Sequence, residues 1–101
     1  MDKATGKTIV VADYIGTFAE NKDIARDIRK KQIEPALAKS SSVTLDFKGI
    51  DGATQSFIHA LISDVIRTYT SDVLDRLFFK NCNATLKGII SIVVDYMQQI
   101  D

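Results

Sequence analysis

The 101-residue sequence contains one cysteine, one proline and no tryptophan, and its charges leave no excess of either sign. With Cys82 alone, no intrachain disulfide can form, which suits a reducing compartment. The 13 basic and 13 acidic side chains cancel, so neither nucleic acid nor an anionic membrane is expected as a partner. No run reaches the roughly 18 apolar residues of a membrane span, and no secretory signal opens the sequence. These absences favour a cytoplasmic location.

What is present is the composition of an ordinary folded domain. Hydrophobic residues make up 46% of the chain and charged residues 26%, which is typical of globular proteins and not of disordered or fibrous ones. The sequence shows no internal repeat and no linker rich in proline or glycine. We therefore expect residues 1–101 to form a single domain.

Short apolar segments alternate with segments of helical spacing. Residues 8–12 are apolar and β-branched, which predicts a strand covered on both faces. Residues 43–47 alternate with period two, and the apolar run 77–79 predicts a third, buried strand. A helix is predicted after each strand. The order strand-helix-strand-helix-strand-helix predicts an α/β fold with a mostly parallel sheet of three to four strands and helices covering it.

Two local features leave the limits of the first helix open. Thr17–Glu20 matches a capping box, whereas Asn21 would cap a later start. Pro35 is expected to end or kink this helix, because its ring displaces the carbonyl group four residues back and it has no amide hydrogen.

The second helix, predicted from residue 54 or 56 to about 69, is mostly apolar and leaves a narrow polar stripe. Ser56, His59, Ser63 and Arg67 follow one another at steps of three and four, so they share one helix face. We expect this stripe to be exposed.

Several residues of types found in catalytic, metal or phosphate-binding sites lack the other residues that such sites require. Ser56 and His59 suggest a nucleophile and its base, but Asp64 is poorly spaced to hold His59 and no oxyanion site is evident. Cys82 has no ligand spacing for a metal. Gly6–Thr8 copies only the end of a phosphate-binding loop and leads into a strand. We therefore expect no enzymatic activity, no cofactor and no metal.

The basic residues of the first helix form the one basic cluster in the sequence, Arg26, Arg29, Lys30 and Lys31. Asp27 is spaced to pair with Lys30 or Lys31, which favours a solvated helix face. No aromatic platform accompanies these charges, so nucleic-acid binding is not expected.

The last helix has the clearest amphipathic pattern. Its apolar arc widens past the roughly 100° that core packing requires when Ile92, Val94 and Tyr96 are included. Two alternatives remain open: the helix is deeply seated in a small domain, or part of it binds a second copy of the chain.

Residues Val43–Ile50 (VTLDFKGI), followed by Thr54–Ile58 (TQSFI), resemble the STAS-like family of small bacterial domains of unknown function. That family is named after the STAS domain of anti-sigma-factor antagonists and sulfate-transporter tails. The turn at Phe79–Asn81 and the pair Ile24–Ala25 also look like the family's pattern. The resemblance spans most of the chain and implies a small α/β domain of STAS-like type.

The resemblance also implies a regulatory role for the start of the second helix. In antagonist STAS proteins a partner kinase phosphorylates the first serine of an Asp-Ser-Ser-Gly run there, which abolishes partner binding. Here Gln55 occupies the phospho-accepting place, Ser56 is the retained second serine, and Phe57 replaces the glycine. Ser56 and Thr54 are the candidate phosphosites, and the alternative is that they are simple helix caps.

By this resemblance, the chain is expected to be a non-enzymatic regulatory module for a protein partner, such as a histidine-kinase-like ATPase that itself carries the ATP and magnesium. A small-molecule or nucleotide site near residues 48–53 and 80–83 is one alternative. A structural homodimer is the other. The expected partner-contact residues are Gly52, Thr54, Gln55, Ser56, His59, Ser63 and Arg67.

Overall fold

A parallel sheet and the helices packed on it make up the described part of the chain, residues 6–39 and 42–99 of a computed structural model. Among these residues, no helix combines the length and apolar content that a membrane crossing requires. In chain order the elements are β1 (Gly6–Val10), α1 (Ala12–Ile15), β2 (Phe18–Ala19), α2 (Lys22–Ile28), a π-helical turn (Arg29–Ile33), α3 (Glu34–Ala38), β3 (Ser42–Asp46), β4 (Gly52–Ala53), α4 (Gln55–Tyr69), a 3₁₀ turn (Thr70–Asp75), β5 (Leu77–Lys80) and α5 (Ala84–Gln99).

The main sheet contains three parallel strands in the order β1-β3-β5. The prediction of an α/β fold with a parallel sheet is therefore confirmed. A second sheet, in which β2 pairs with β4 in parallel, was not predicted. Each of its strands has two residues, which is too short for a period-two pattern to be recognised.

The two faces of the main sheet differ in burial. Leu45 of β3 is fully buried on the helix-covered face, whereas Phe78 of β5, on the opposite face, is 48% exposed. The prediction that the first strand is covered on both faces is wrong, because Ile9 is buried while Thr8 and Val10 are exposed. Phe78 likewise contradicts the prediction of a wholly buried third strand. The physical reason is that β1 and β5 are edge strands whose outward-facing side chains lie on the open face of the sheet.

The first long helical segment starts at the later of the two predicted positions. Asn21 accepts hydrogen bonds at Oδ1 from the backbone amides of Asp23, at 2.9 Å, and Ile24, at 3.3 Å. These bonds satisfy amides that have no partner within the first turn. Thr17–Glu20 forms a turn and β2 instead of a capping box.

Pro35 does not end the helical segment, because a π-helical turn precedes it. Within that turn, the amide of Glu34 bonds to the carbonyl of Arg29, five residues back. Pro35 then lies in the first turn of α3, where its missing amide costs no hydrogen bond. The wider π turn thus accommodates a proline that would break a regular α-helix.

Helix α4 packs against α2 on one side and α5 on the other. The prediction that most of α4 is buried is confirmed. Because helices flank it and the sheet lies beneath it, only its first turn and a narrow outer strip remain accessible. Its buried apolar residues are Phe57, Ile58, Leu61, Ile62, Val65 and Ile66.

Candidate functional site

The loops that follow β1 and β3 are tied together where α4 begins. Phe18 pairs with Gly52 and Ala19 with Ala53 in the small parallel sheet. The amide of Thr54 donates to the carbonyl of Ala19 at 2.9 Å. The entrance to α4 is therefore fixed by backbone hydrogen bonds to a segment 35 residues earlier in the sequence.

Thr54 and Ser56 have different roles at the start of α4. Thr54 Oγ1 accepts a hydrogen bond from the amide of Phe57 at 3.1 Å, so Thr54 is the helix cap, as one of the predicted alternatives held. Ser56, the second residue of the helix, is exposed, as is Gln55. Of the two candidate phosphosites, Ser56 is exposed and Thr54 is half-buried.

Gly52 lies beneath the exposed residues around the start of α4 and is not itself exposed. The residue is buried, and a methyl group in place of its hydrogen would come within 3.0 Å of the Phe18 ring. The prediction of Gly52 as a contact residue is therefore corrected: the Phe18 ring covers it and is itself 48% exposed. Phe18, and not Gly52, is therefore the exposed residue here, and no sequence pattern singles it out.

The predicted exposed stripe along α4 is interrupted. Ser63 is only 4% exposed, so its prediction as a partner contact is wrong, whereas His59 is half-buried and Arg67 exposed. The reason is the tertiary packing of α4 between two other helices, which covers more of its surface than the apolar pattern alone indicates.

A shallow groove lies between the start of α2 and the start of α4. Its volume is about 400 Å³, and its lining residues are Lys22, Gln55, Ser56, His59 and Ala60. Four of these residues together with Phe18 form what we call the docking surface: Phe18, Lys22, Gln55, Ser56 and His59. The docking surface combines an exposed aromatic ring, a cationic side chain and an accessible hydroxyl.

The side chain of Arg29 does not lie with the other residues of the basic cluster predicted from the sequence. Its side chain is 7% exposed and forms an ion pair and hydrogen bond with Asp64 of α4. Its Nε lies 3.7 Å from the Glu34 carboxylate and has no hydrogen-bond partner among the described residues. The interpretation of Arg29 as part of a solvated face is thus wrong, because the π turn directs this side chain towards α4.

Asp46 is the last residue of β3 and lies at the carboxyl end of the main sheet. Its Oδ1 accepts hydrogen bonds from Asn81 Nδ2 and from the Lys48 amide, each at 2.9 Å. The Asn81 bond contributes most, and with the Lys48 amide and the charges of Lys80 and Lys48 it holds the pKa of Asp46 below its usual 3.8, against the opposing effect of burial. The ionised carboxylate therefore joins the end of β3 to the turn after β5.

Because the pKa of Asp46 is lowered in the folded state, this residue makes the stability of the fold depend on pH in the acid range. Above pH 3.8, the usual value, the carboxylate is ionised in both states and its hydrogen bonds stabilise the fold. As the pH falls through the lower folded-state pKa, the contribution is lost. We expect Asp46→Asn to flatten the acid decline of the urea midpoint, measured from neutral pH downwards. Asp13→Asn, which removes an exposed carboxylate, is the control, and an unchanged acid profile in Asp46→Asn would contradict the assignment.

A second cleft, of about 520 Å³, lies between β5 and α5. Its lining includes Asn81, Cys82 and Lys87, beside the apolar side chains of Phe79 and Ile90. Burial raises the pKa of the Cys82 thiol above its usual value, so this cysteine is not activated as a nucleophile. Among the described residues, no group of three or more His, Cys, Asp or Glu side chains is placed to hold a metal ion.

Comparison with known proteins gives one family match. The model of a family described as a STAS-like domain of unknown function (DUF4325) matches residues 25–87, well over half of the chain. No curated protein and no solved structure matches the chain. The matched region includes β3, the loop to α4, and Thr54 and Ser56 at the start of that helix.

Proposed function

Because this chain belongs to the STAS-like family of domains, we propose that it is a non-enzymatic regulatory module that binds a protein partner through the docking surface. The observation that carries the proposal is the exposure of Ser56 on a helix turn that is otherwise held rigidly. Beside it, Phe18 presents a large aromatic side chain to solvent. An exposed aromatic residue surrounded by polar residues is typical of protein interfaces.

The partner class we propose is a histidine-kinase-like ATPase in the cytoplasm, by analogy with the antagonist STAS domains. In such a complex the ATP and magnesium belong to the partner. This chain contributes a shaped surface and no chemistry of its own.

Phosphorylation of Ser56 would switch this surface without unfolding it. A phosphate adds close to two negative charges, and the first turn of α4 tolerates them because its unpaired amides carry partial positive charge. Lys22, which lines the same groove, faces the new charge. The net charge of the docking surface would therefore change from positive to negative, while Thr54 still caps the helix.

The test is capture of the partner from the native host with tagged variants of the full chain. We expect Ser56→Asp to weaken recovery of the ATPase at least about tenfold, because a new negative charge buried at an interface costs about 1.4 kcal/mol or more. Ser56→Ala should retain the partner. Mass spectrometry of the untreated protein should place phosphate on Ser56 and not on Thr54.

Thr68→Asp is the matched control, since it introduces the same charge at an exposed position of the same helix, about 18 Å away by the helical rise. It should leave recovery unchanged. If Ser56→Asp retains every partner that the wild type recovers, the switch is ruled out.

The cleft beside Cys82 favours one alternative function, a small-molecule or nucleotide site at the carboxyl end of the sheet. The cleft includes Asn81 and Cys82, within the segment 80–83 where such a site was expected. A nucleotide that raises the melting temperature of the wild type but not of a Lys87→Ala variant would support this alternative over protein binding.

A further inference from the structure

The groove between the starts of α2 and α4 is lined by a lysine and a histidine, and by no carboxylate among the described residues. Lys22 is the first residue of α2, and His59 lies in the second turn of α4. Neither side chain forms a hydrogen bond or an ion pair within residues 6–39 and 42–99. Arg26, the next basic residue of α2, is by contrast paired with Asp23 at 3.1 Å. Lys22 and His59 therefore bring unused hydrogen-bond donors to the groove.

Ser56 lies three residues before His59 and lines the same groove. Residues three apart in a helix have Cβ atoms about 5–6 Å from each other, and helical side chains lean towards the N-terminus of their helix. The half-buried ring of His59 is therefore placed over the turn that carries Ser56. A group attached to Ser56 Oγ thus has one donor on its own helix, His59, and a second on the neighbouring helix, Lys22.

We propose that a phosphate on Ser56 lies in this groove and is bound there, within the same chain, by Lys22 and His59. The Lys22 ammonium group and an imidazole N–H of His59 each donate to phosphate oxygens, and the imidazole has a donor in either protonation state. The inference rests on the proposed phosphorylation of Ser56. In that step the γ-phosphoryl group of the partner's ATP bonds to Ser56 Oγ, the hydroxyl proton leaves and ADP is released.

Binding of the phosphate within the chain gives the switch a second component besides charge. The phosphate occupies the groove and engages Lys22 and His59, two of the five side chains of the docking surface. Those two side chains are then no longer available to a partner. Phosphorylation therefore adds negative charge to the docking surface and at the same time removes two of its contacts.

The full chain with phosphoserine incorporated at position 56 during synthesis tests the inference without a kinase or a partner. Phosphorus NMR follows the second ionisation of the phosphate, which has its midpoint at about pH 6 in an unperturbed phosphoserine. Donors that bind the dianion lower this midpoint, because they favour the more charged form. The measurement therefore reports directly whether the groove binds the phosphate.

Removing either donor should raise the midpoint. We expect His59→Asn and Lys22→Met, each made in the phosphoprotein, to shift it upwards by about 0.3 pH units or more, the size of a partly exposed charged contact. The unpaired amides in the first turn of α4 lower the midpoint in every variant alike. The differences between variants therefore report the two side chains alone.

Lys30→Met, which removes an exposed charge of the π turn outside the groove, is the matched control for Lys22→Met and should leave the midpoint unchanged. Circular dichroism checks that each variant is folded. Equal midpoints in all the phosphoproteins overturn the inference, and so does a shift in Lys30→Met as large as that in Lys22→Met. Absence of phosphate from Ser56 in the native host instead overturns the proposed switch, so the two failures are distinguishable.

Discussion

Asp64→Ala is expected to destabilise the domain by about 3 kcal/mol, because it removes the hydrogen-bonded partner of the buried Arg29 charge and leaves only the Glu34 carboxylate, 3.7 Å from Nε. Arg29 is almost fully enclosed, whereas Asp64 remains about half exposed. The loss of stability therefore comes mainly from the guanidinium group, whose charge stays buried, and not from the removed carboxylate. Chemical unfolding in urea, with the denaturant slope held constant, measures the difference.

Two further variants separate this explanation from a general loss of packing. Arg29→Met combined with Asp64→Ala should be more stable than Asp64→Ala alone, since no charge is then left buried. Arg67→Met removes the other arginine that contacts Asp64, at 2.7 Å. That arginine is well exposed, so its loss should cost less than about 0.5 kcal/mol. If the double variant is the least stable of the set, the buried-charge explanation is incorrect.

Phe57→Ala should be at least as damaging, with an expected cost of about 4 kcal/mol. Phe57 is fully buried in α4, at the place where the resemblance to antagonist STAS domains leads one to expect a glycine. The aromatic ring fills space that alanine would leave empty. Thermal and urea unfolding both measure this loss.

Gln55→Ala, two residues earlier and exposed, is the control and should change stability by less than about 0.5 kcal/mol. A cost below about 1.5 kcal/mol for Phe57→Ala would mean that the surrounding core closes the cavity. Because Phe57 is buried, position 57 belongs to the core of this domain and takes no part in the docking surface. The departure from the antagonist STAS motif at this position thus concerns packing.

Much of the candidate site could be located from the sequence. The helix start at residues 54–56 is found there because caps and turns are local features with recognisable residue types. The sequence left Thr54 and Ser56 as equal candidates for cap and phosphosite, and only the hydrogen bond from the Phe57 amide to Thr54 separates their roles. Phe18 could not be found in this way, since its place beside the α4 entrance depends on two-residue strands that carry no periodic signal.

Arg29 and Ser63 show a second limit. Four basic residues on one helix are correctly expected to face water when the helix is regular, but a π turn changes the direction of the side chains within it. The partner of Arg29 lies 35 residues away along the chain. Ser63 has a polar side chain and yet is buried, because neighbouring helices close over both sides of α4.

The sequence by itself determined the alternation of strands and helices and the parallel sheet, because periodicity and chain connectivity are local properties. The family follows from the sequence match over residues 25–87. Only the tertiary structure decided which face of the sheet stays open, that Gly52 lies beneath Phe18, and that Arg29 points inwards. Those outcomes depend on contacts between residues distant in sequence, which a local pattern does not encode.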